Sequence, residues 1–264
     1  STQGYSSAAS DVYKRQEKRW GMKKLELINV KKTFYTELGA LDVVDDISFD
    51  VNEGEIVAIV GPSGSGKSTL LNIISKLLSP TSGEIIVDGD IGYMFQHDHL
   101  FNWRTVWKNI LIGLEIKKDK DQKKVERVRE LLEKYGLIDF INNYPQELSG
   151  GMRQRIALIR TLATKPSILL LDEPFSALDY QTRVKVSNDI YRIIKDQNVS
   201  TLLVTHDISE AIAMADRVIV LSHRPAKLKE IIEIKTSNGK TPIEKRRSSE
   251  FSQYFDKIWG LLNE

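Results

Sequence analysis

The residues Gly61-Pro62-Ser63-Gly64-Ser65-Gly66-Lys67-Ser68-Thr69 fit the pattern G-x-x-x-x-G-K-[ST] and lie between an apolar run, Ile56 to Val60, and a helix-like run, Leu70 to Leu78. Strand, loop and helix in that order are the context such a loop requires. Its glycines let successive backbone N–H groups curl around phosphate oxygens, and the helix N-terminus adds the positive end of its dipole. Lys67 is placed to reach the β- and γ-phosphates, and the Ser68 hydroxyl to hold Mg²⁺. A Gly/Ser loop that only turned the chain would need neither Lys67-Ser68 nor the flanking elements. The sequence therefore implies a P-loop that takes a nucleoside triphosphate, on an α/β core.

Length and composition set wide bounds. The chain has 264 residues, 41% hydrophobic and 28% charged, which is enough to bury a full α/β core and argues against disorder. Lys and Arg number 38 against 36 Asp and Glu, a formal charge of +2, so charge makes no case for a nucleic-acid partner. Cysteine is absent, which excludes disulfides, Cys-ligated zinc and thiol catalysis. No apolar stretch approaches the roughly 18 residues that cross a bilayer, so any membrane association is expected to be peripheral.

Residues 1–21 read differently from the rest of the chain. Asp11-Val12-Tyr13-Lys14-Arg15-Gln16 back-translates as GATGTGTATAAGAGACAG, which resembles a transposase mosaic-end adapter, and a fresh start at Met22 leads into Lys23-Lys24-Leu25-Glu26-Leu27. Residues 1–21 are expected to be a non-native or disordered leader, outside any fold reasoning.

From Leu25 to Val51 the pattern is of short strands with turns, an expected antiparallel β layer. Strands are expected again at Gly83 to Val87 and Ile91 to Phe95. Thr105 to Thr164 reads as helical, with Val125, Val128, Leu131, Leu132 and Tyr135 at helical spacing and the Lys117 to Lys124 charge run on a solvated face or entry loop. Apolar runs at Ile168 to Leu171, Thr201 to Val204 and Val218 to Leu221 alternate with helical pattern, which indicates a buried, mainly parallel sheet. The expected organisation is one domain over 22–264: core and β layer at 22–96 and 165–235, a helical subdomain at 97–164, and a C-terminal amphipathic helix at 244–263. Phe251, Tyr254, Phe255, Ile258, Trp259 and Leu262 share one face of that helix, as a partner surface or as packing on the chain's own core.

Other motifs narrow the P-loop. Ile168-Leu169-Leu170-Leu171-Asp172-Glu173 is a buried strand ending in adjacent carboxylates, with Asp172 placed to hold Mg²⁺ and Glu173 to polarise a water aimed at the γ-phosphate. Leu148-Ser149-Gly150-Gly151-Met152-Arg153-Gln154 opens a second helix with a hydroxyl and unshielded N–H groups, another phosphate-binding device. With both devices present, the chain resembles the nucleotide-binding subunit of an ATP-binding cassette (ABC) transporter from about Leu25 to Leu221, in motif order and spacing.

The resemblance implies roles. Ser149, Gly150, Gly151 and Met152 match the signature LSGGQ, with Met152 in place of the commonest glutamine and no loss of activity expected. Gln96, in Tyr93-Met94-Phe95-Gln96, matches the loop that senses Mg²⁺ and the attacking water. Asp179, in Ser176-Ala177-Leu178-Asp179, matches the loop crossing between subunits, and His206, in Thr205-His206-Asp207, the histidine on the γ-phosphate. Phe34 corresponds to the adenine-stacking aromatic, with Tyr35 as the competing choice. The resemblance also implies ATP and Mg²⁺ as ligands, and a second copy or homologous cassette facing head to tail so that each ATP lies between one P-loop and the other chain's signature. Permease subunits, a solute-binding protein reached through them, and the cytoplasmic face of the membrane follow from the same likeness.

Leu100-Phe101-Asn102-Trp103-Arg104-Thr105-Val106, Tyr180-Gln181-Thr182-Arg183 and Leu221-Ser222-His223-Arg224-Pro225 resemble the nitrate/sulfonate/taurine branch of bacterial importers, with Asn102 where PWRT is usual. Trp103 and Trp107 would then line the groove for a permease helix, or simply pack the helical insert. An exporter cassette, and a soluble ABC ATPase of repair or translation, are the alternatives.

Overall fold

The computed structural model describes residues 22–37, 39–237 and 241–263; the expected leader at 1–21 lies outside them. Strands β1 (Lys23–Thr36), β2 (Gly39–Asn52) and β4 (Ser82–Val87) form an antiparallel sheet of order β2-β1-β4. Strands β3 (Ile56–Val60), β5 (Ile91–Met94), β6 (Ile168–Asp172), β7 (Ser200–Val204), β8 (Arg217–Leu221) and β9 (Leu228–Glu233) form a six-stranded sheet of order β5-β6-β7-β3-β8-β9. All its pairings are parallel except β8 with β9.

Strands β3, β6, β7 and β8 are buried along their whole length, as central strands covered on both faces must be. Side chains alternate between two cores. Val57, Ile59, Leu170, Leu202, Val204 and Ile219 meet the antiparallel sheet and α1 (Lys67–Ile74), where Leu70, Leu71, Ile73 and Ile74 are buried. Ile56, Ala58, Val60, Leu169, Leu171, Leu203, Val218 and Val220 meet the helices on the other side.

The insert contains α2 (Val106–Ile110), α3 (Ile112–Ile116), α4 (Gln122–Lys134) and α5 (Gly150–Ala163). Thr105 caps α2 and Asp121 caps α4, each accepting a backbone N–H from its first turn. Leu100, Val106, Ile110, Val128, Leu131, Leu132 and Leu148 form a core of their own, shared with Ile156 and Ile159 of α5. The same helix sends Ala157, Leu158 and Leu162 into the sheet core, so α5 joins insert to sheet. Trp107 packs against the insert's core, with the Arg129 guanidinium 5.2 Å from its ring centroid, whereas Trp103 stays exposed beside Phe101.

Helices α6 (Tyr180–Asp196) and α7 (Ile208–Met214) follow β6 and β7. The expected single helix over 244–263 is instead a short turn of helix, α8 (Pro242–Lys245), and a separate α9 (Glu250–Asn263). Between them the Ser248 N–H and hydroxyl both donate to the Lys245 carbonyl, at 3.1 and 2.8 Å, in a three-residue turn. Ile258 of α9 is fully buried, and Phe251, Tyr254, Phe255 and Leu262 pack on the sheet core, while Trp259 is exposed. Most of the aromatic stripe is thus used by the chain's own core. Among the described residues no helix is long and apolar enough to cross a membrane.

Candidate active site

Parallel pairing sends the C-terminal ends of β5, β6, β7 and β3 to one edge of the sheet, side by side. Segments leaving that edge carry Gln96, Asp172-Glu173, His206 and the loop 61–69 respectively. Residues separated by more than a hundred positions are therefore neighbours for a topological reason.

A cavity of about 810 Å³ opens there, lined by Gly61 to Thr69 apart from Ser65, and by Phe34, Leu41, Val43, Glu173, His206, Arg224 and Leu262. Its volume falls within the range of ordinary small-ligand sites. Gly64 and Gly66 have φ of +74° and +105°, a left-handed conformation that side chains with a Cβ resist. At Gly66 a Cβ would also come within 2.9 Å of Val43 Cγ1 and 3.0 Å of the Val43 carbonyl oxygen, so the loop presses directly on β2.

Lys67 is 6% exposed and its Nζ donates to the Gly61 and Pro62 carbonyls, each at 2.8 Å. Burial lowers its pKa, while Glu173 and Asp172 oppose that shift. Its ammonium is thus held by weak neutral acceptors at the floor of the cavity, where an anionic ligand would be a better partner.

Asp172 accepts from the Ser68 hydroxyl at 3.3 Å and from the Tyr93 hydroxyl at 3.3 Å. Burial raises its pKa, and the Ser68 and Tyr93 bonds work against that rise. Ser68 and Asp172 bring hard oxygen donors together as a magnesium site requires. Among the described residues no group of three or more His, Cys, Asp or Glu could hold a metal ion, so a cation here would draw its other oxygens from nucleotide and water.

Glu173 has φ +44° and donates its N–H to the Val204 carbonyl at 2.8 Å. A left-handed glutamate costs roughly 1–2 kcal/mol, and the bond to β7 fixes the backbone in it. Glu173 Oε2 lies 3.1 Å from His206 Nδ1. The half-exposed imidazole and the carboxylate face each other at the cavity mouth.

Of the two aromatic choices, Phe34 lines the cavity, whereas Tyr35 is 79% exposed and does not. Gln96 does not line it either; its Nε2 donates to the Ser176 hydroxyl at 3.3 Å, and that hydroxyl donates to the Glu173 carbonyl at 3.0 Å. Gln96 is therefore tied to the segment after Glu173.

Ser149, Gly150, Gly151 and Met152 lie outside the cavity. Ser149 caps α5, accepting the Met152 N–H at 3.3 Å, and the Met152 side chain packs on the insert's core. A Cβ at Gly151 would meet Val186 Cγ2 at 2.7 Å, and one at Gly150 Leu178 Cδ2 at 3.1 Å. These glycines have a packing duty toward α6 and the loop before it, which the sequence did not disclose. Asp179 caps α6 by accepting the Thr182 N–H at 3.1 Å.

Tyr93, Leu41, Val43, Arg224 and Leu262 are cavity or Asp172 neighbours that motif reading missed. Alternation along β5 places Tyr93 on the same face as Phe95, but nothing local in the sequence brings Arg224 or Leu262 to this edge.

Residues 44–176 match the family described as ABC transporter. The chain is 42% identical over 248 residues to the ABC transporter ATP-binding protein YtlC of Bacillus subtilis, covering 90% of this chain and 95% of the relative. It is 40% identical over 251 residues to the nitrate import ATP-binding protein NrtD of Synechocystis, covering 90% and 94%. Identity to the aliphatic sulfonates import ATP-binding protein SsuB of Bacillus cereus is 39% over 236 residues, covering 86% and 91%. Among solved structures it is similar to the dimeric cassette MJ0796 in a post-hydrolysis state bound to ADP and Pi, with TM-score 0.68 and 31% identity over 80% of this chain and 99% of that one. A P-loop at the end of β3, paired carboxylates at the end of β6, a histidine beyond β7 and these likenesses over most of the chain agree: the chain belongs to the ABC transporter family, as an ATP-binding cassette that hydrolyses ATP to power transport.

Proposed function

We propose that this cassette powers an importer of small solutes of the nitrate/sulfonate/taurine type, working as a head-to-tail pair docked on permease subunits at the cytoplasmic face of the membrane and fed through them by a solute-binding protein. The observation that carries the paired arrangement is the split between the two phosphate devices: the P-loop lines the cavity with Glu173 and His206, and Ser149 to Met152 lie outside it. The importer assignment draws on relatives named for nitrate and sulfonate import.

In this reading the triphosphate enters the cavity, and Lys67 exchanges the Gly61 and Pro62 carbonyls for phosphate oxygens while the loop amides close around them. Phe34 stacks on the base. Ser68 and Asp172 would hold magnesium, with Gln96 near them, and its charge would offset the negative charge that develops on the phosphate. A second chain brings Ser149, Gly150 and Gly151 to the γ-phosphate, and Asp179 lies beside that junction. Glu173 accepts a proton from the attacking water while His206, held by the same carboxylate, contacts the γ-phosphate. Hydrolysis to ADP and phosphate removes the group shared by both chains, and the pair reopens.

Replacing Glu173 by Gln is expected to lower turnover by roughly 10²–10⁴-fold while leaving ATP binding intact. Light scattering on a sizing column should then show monomer without ATP and dimer with it. Undiminished turnover would remove Glu173 from the chemistry, and a variant that binds ATP yet stays monomeric would remove the self-paired arrangement.

A further inference from the structure

The cavity has walls of different character. One side carries Phe34, Leu41 and Val43 from the β1/β2 hairpin, and the phosphate end carries the loop 61–69, Glu173 and His206. Two further lining residues, Arg224 and Leu262, come from the β8–β9 turn and from α9, and belong to none of the motifs.

Arg224 is held in place by its backbone. Ala226 donates to the Val43 carbonyl at 2.8 Å and accepts from the Asp45 N–H at 2.9 Å, so the turn is stitched to the strand that lines the apolar end of the cavity. Ser222 closes the turn from the other side, its N–H donating to the Lys227 carbonyl and its hydroxyl accepting the Lys227 N–H, both at 2.9 Å. The Lys227 ammonium adds an ion pair to Asp45 at 3.1 Å. On this anchored turn the Arg224 side chain is exposed, and among the described residues its guanidinium has no hydrogen bond or ion pair. Arg217, on the preceding strand, is by contrast locked onto Glu55 and Asp50.

Leu262 is equally fixed. Ile258, one helical turn earlier, is fully buried, Lys229 Nζ donates to the Leu261 carbonyl at 2.7 Å, and Lys257 pairs with Glu230. The end of α9 is thereby clamped to β9.

We propose that Arg224 and Leu262 form a second wall of the nucleotide site, in which the Arg224 guanidinium stacks on the nucleobase opposite Phe34 and Leu262 covers the base's edge. The inference rests on the nucleotide-site reading above. The phosphates already have the loop amides and Lys67, whereas the turn is bonded to Val43 and has an aliphatic neighbour in Leu262. A planar, weakly hydrated guanidinium is suited to the π-face of a base in such surroundings. The C-terminal helix therefore contributes to nucleotide affinity as well as to the sheet core.

The test is isothermal titration of ADP, which needs no partner chain, into the protein and its Arg224→Ala, Arg224→Lys, Arg224→Tyr and Leu262→Ala variants, with thermal melting to confirm folding. Arg224→Ala should weaken ADP by about three- to thirty-fold, the span of a cation–π contact. Arg224→Tyr should restore most of the loss because an aromatic ring also stacks, and Leu262→Ala should weaken ADP by a smaller factor. Rescue by Lys and not by Tyr would mean a phosphate contact and overturn the stacking assignment; unchanged affinity in Arg224→Ala would overturn the second wall. Lys67→Ala serves as the control, because ADP binding insensitive to both Lys67 and Arg224 would instead sink the nucleotide-site reading itself.

Discussion

The P-loop and the Ser149 turn are built alike and situated differently. Both are glycine-containing segments that open a helix, α1 in one case and α5 in the other. The P-loop follows a strand buried along its whole length and lines a cavity, with its lysine resting on its own carbonyls. Ser149 rises from the helical insert, and its glycines are pressed against Val186 and Leu178 outside the cavity. A helix N-terminus supplies donors wherever it lies, but only the sheet edge also supplies a cation, carboxylates and a concave wall. Equal local chemistry thus lines a cavity in one place and packs against α6 and the loop before it in the other.

That contrast can be broken by substitution. Lys67→Ala should weaken ATP binding by the isolated chain roughly a hundredfold or more, since a charge-assisted bond contributes about 1.5–3 kcal/mol and this side chain makes at least two. Filter binding with labelled ATP measures it, and retained affinity would contradict the cradle.

A second effect sharpens the comparison from behind His206. Glu210 is 3% exposed and accepts the Thr205 hydroxyl at 2.7 Å. Burial pushes its carboxyl up to about 7; the Thr205 bond and the Arg183 and Arg246 charges pull it down, and Asp207 pushes it up. The folded chain therefore binds this proton more tightly than the unfolded chain, so the associated stability is present below the ordinary carboxylate pKa and is lost as pH rises through about 7. Glu210→Gln removes the titration. Its stability relative to the parent should rise by roughly 2–3 kcal/mol between acid and mildly alkaline pH, as read from urea midpoints across that window. A difference independent of pH would show that Glu210 keeps an ordinary carboxylate pKa.

The smallest effect concerns the outlying device. Ser149→Ala should leave ATP binding by the isolated chain unchanged and lower steady-state turnover by about tenfold, the worth of one phosphate hydrogen bond, with a helix-cap loss of about 1 kcal/mol. Weaker ATP binding by the monomer would place Ser149 in its own chain's site and erase the distinction.

Much of this arrangement was legible in the residues. The runs at Ile56 to Val60, Ile168 to Leu171, Thr201 to Val204 and Val218 to Leu221 each became a fully buried strand, because a strand covered on both faces must be apolar throughout. The residues from Gly61 to Thr69 signalled a glycine loop between strand and helix, which the structure shows lining the cavity, because spacing and glycine conformation are local properties. The break before α9 was less legible: the aromatic stripe from Phe251 to Leu262 falls wholly within α9, and nothing in its spacing marks the separate turn of helix at Pro242–Lys245. Phe34 and Tyr35 are adjacent strand aromatics, and only the packing of the hairpin showed which of them lines the cavity.

By itself the sequence determined the devices: a P-loop, a carboxylate pair at a strand end, a capped glycine turn and a histidine after a strand. Each follows from bonds and sterics spanning a few residues. The tertiary structure decided their company: that Glu173 meets His206, that Lys67 rests on Gly61 and Pro62, that Gly151 must admit Val186, and that Arg224 and Leu262 join the cavity's lining. Those meetings depend on strand order and on which faces bury together, which are set by the energy of the whole core and not by any one segment.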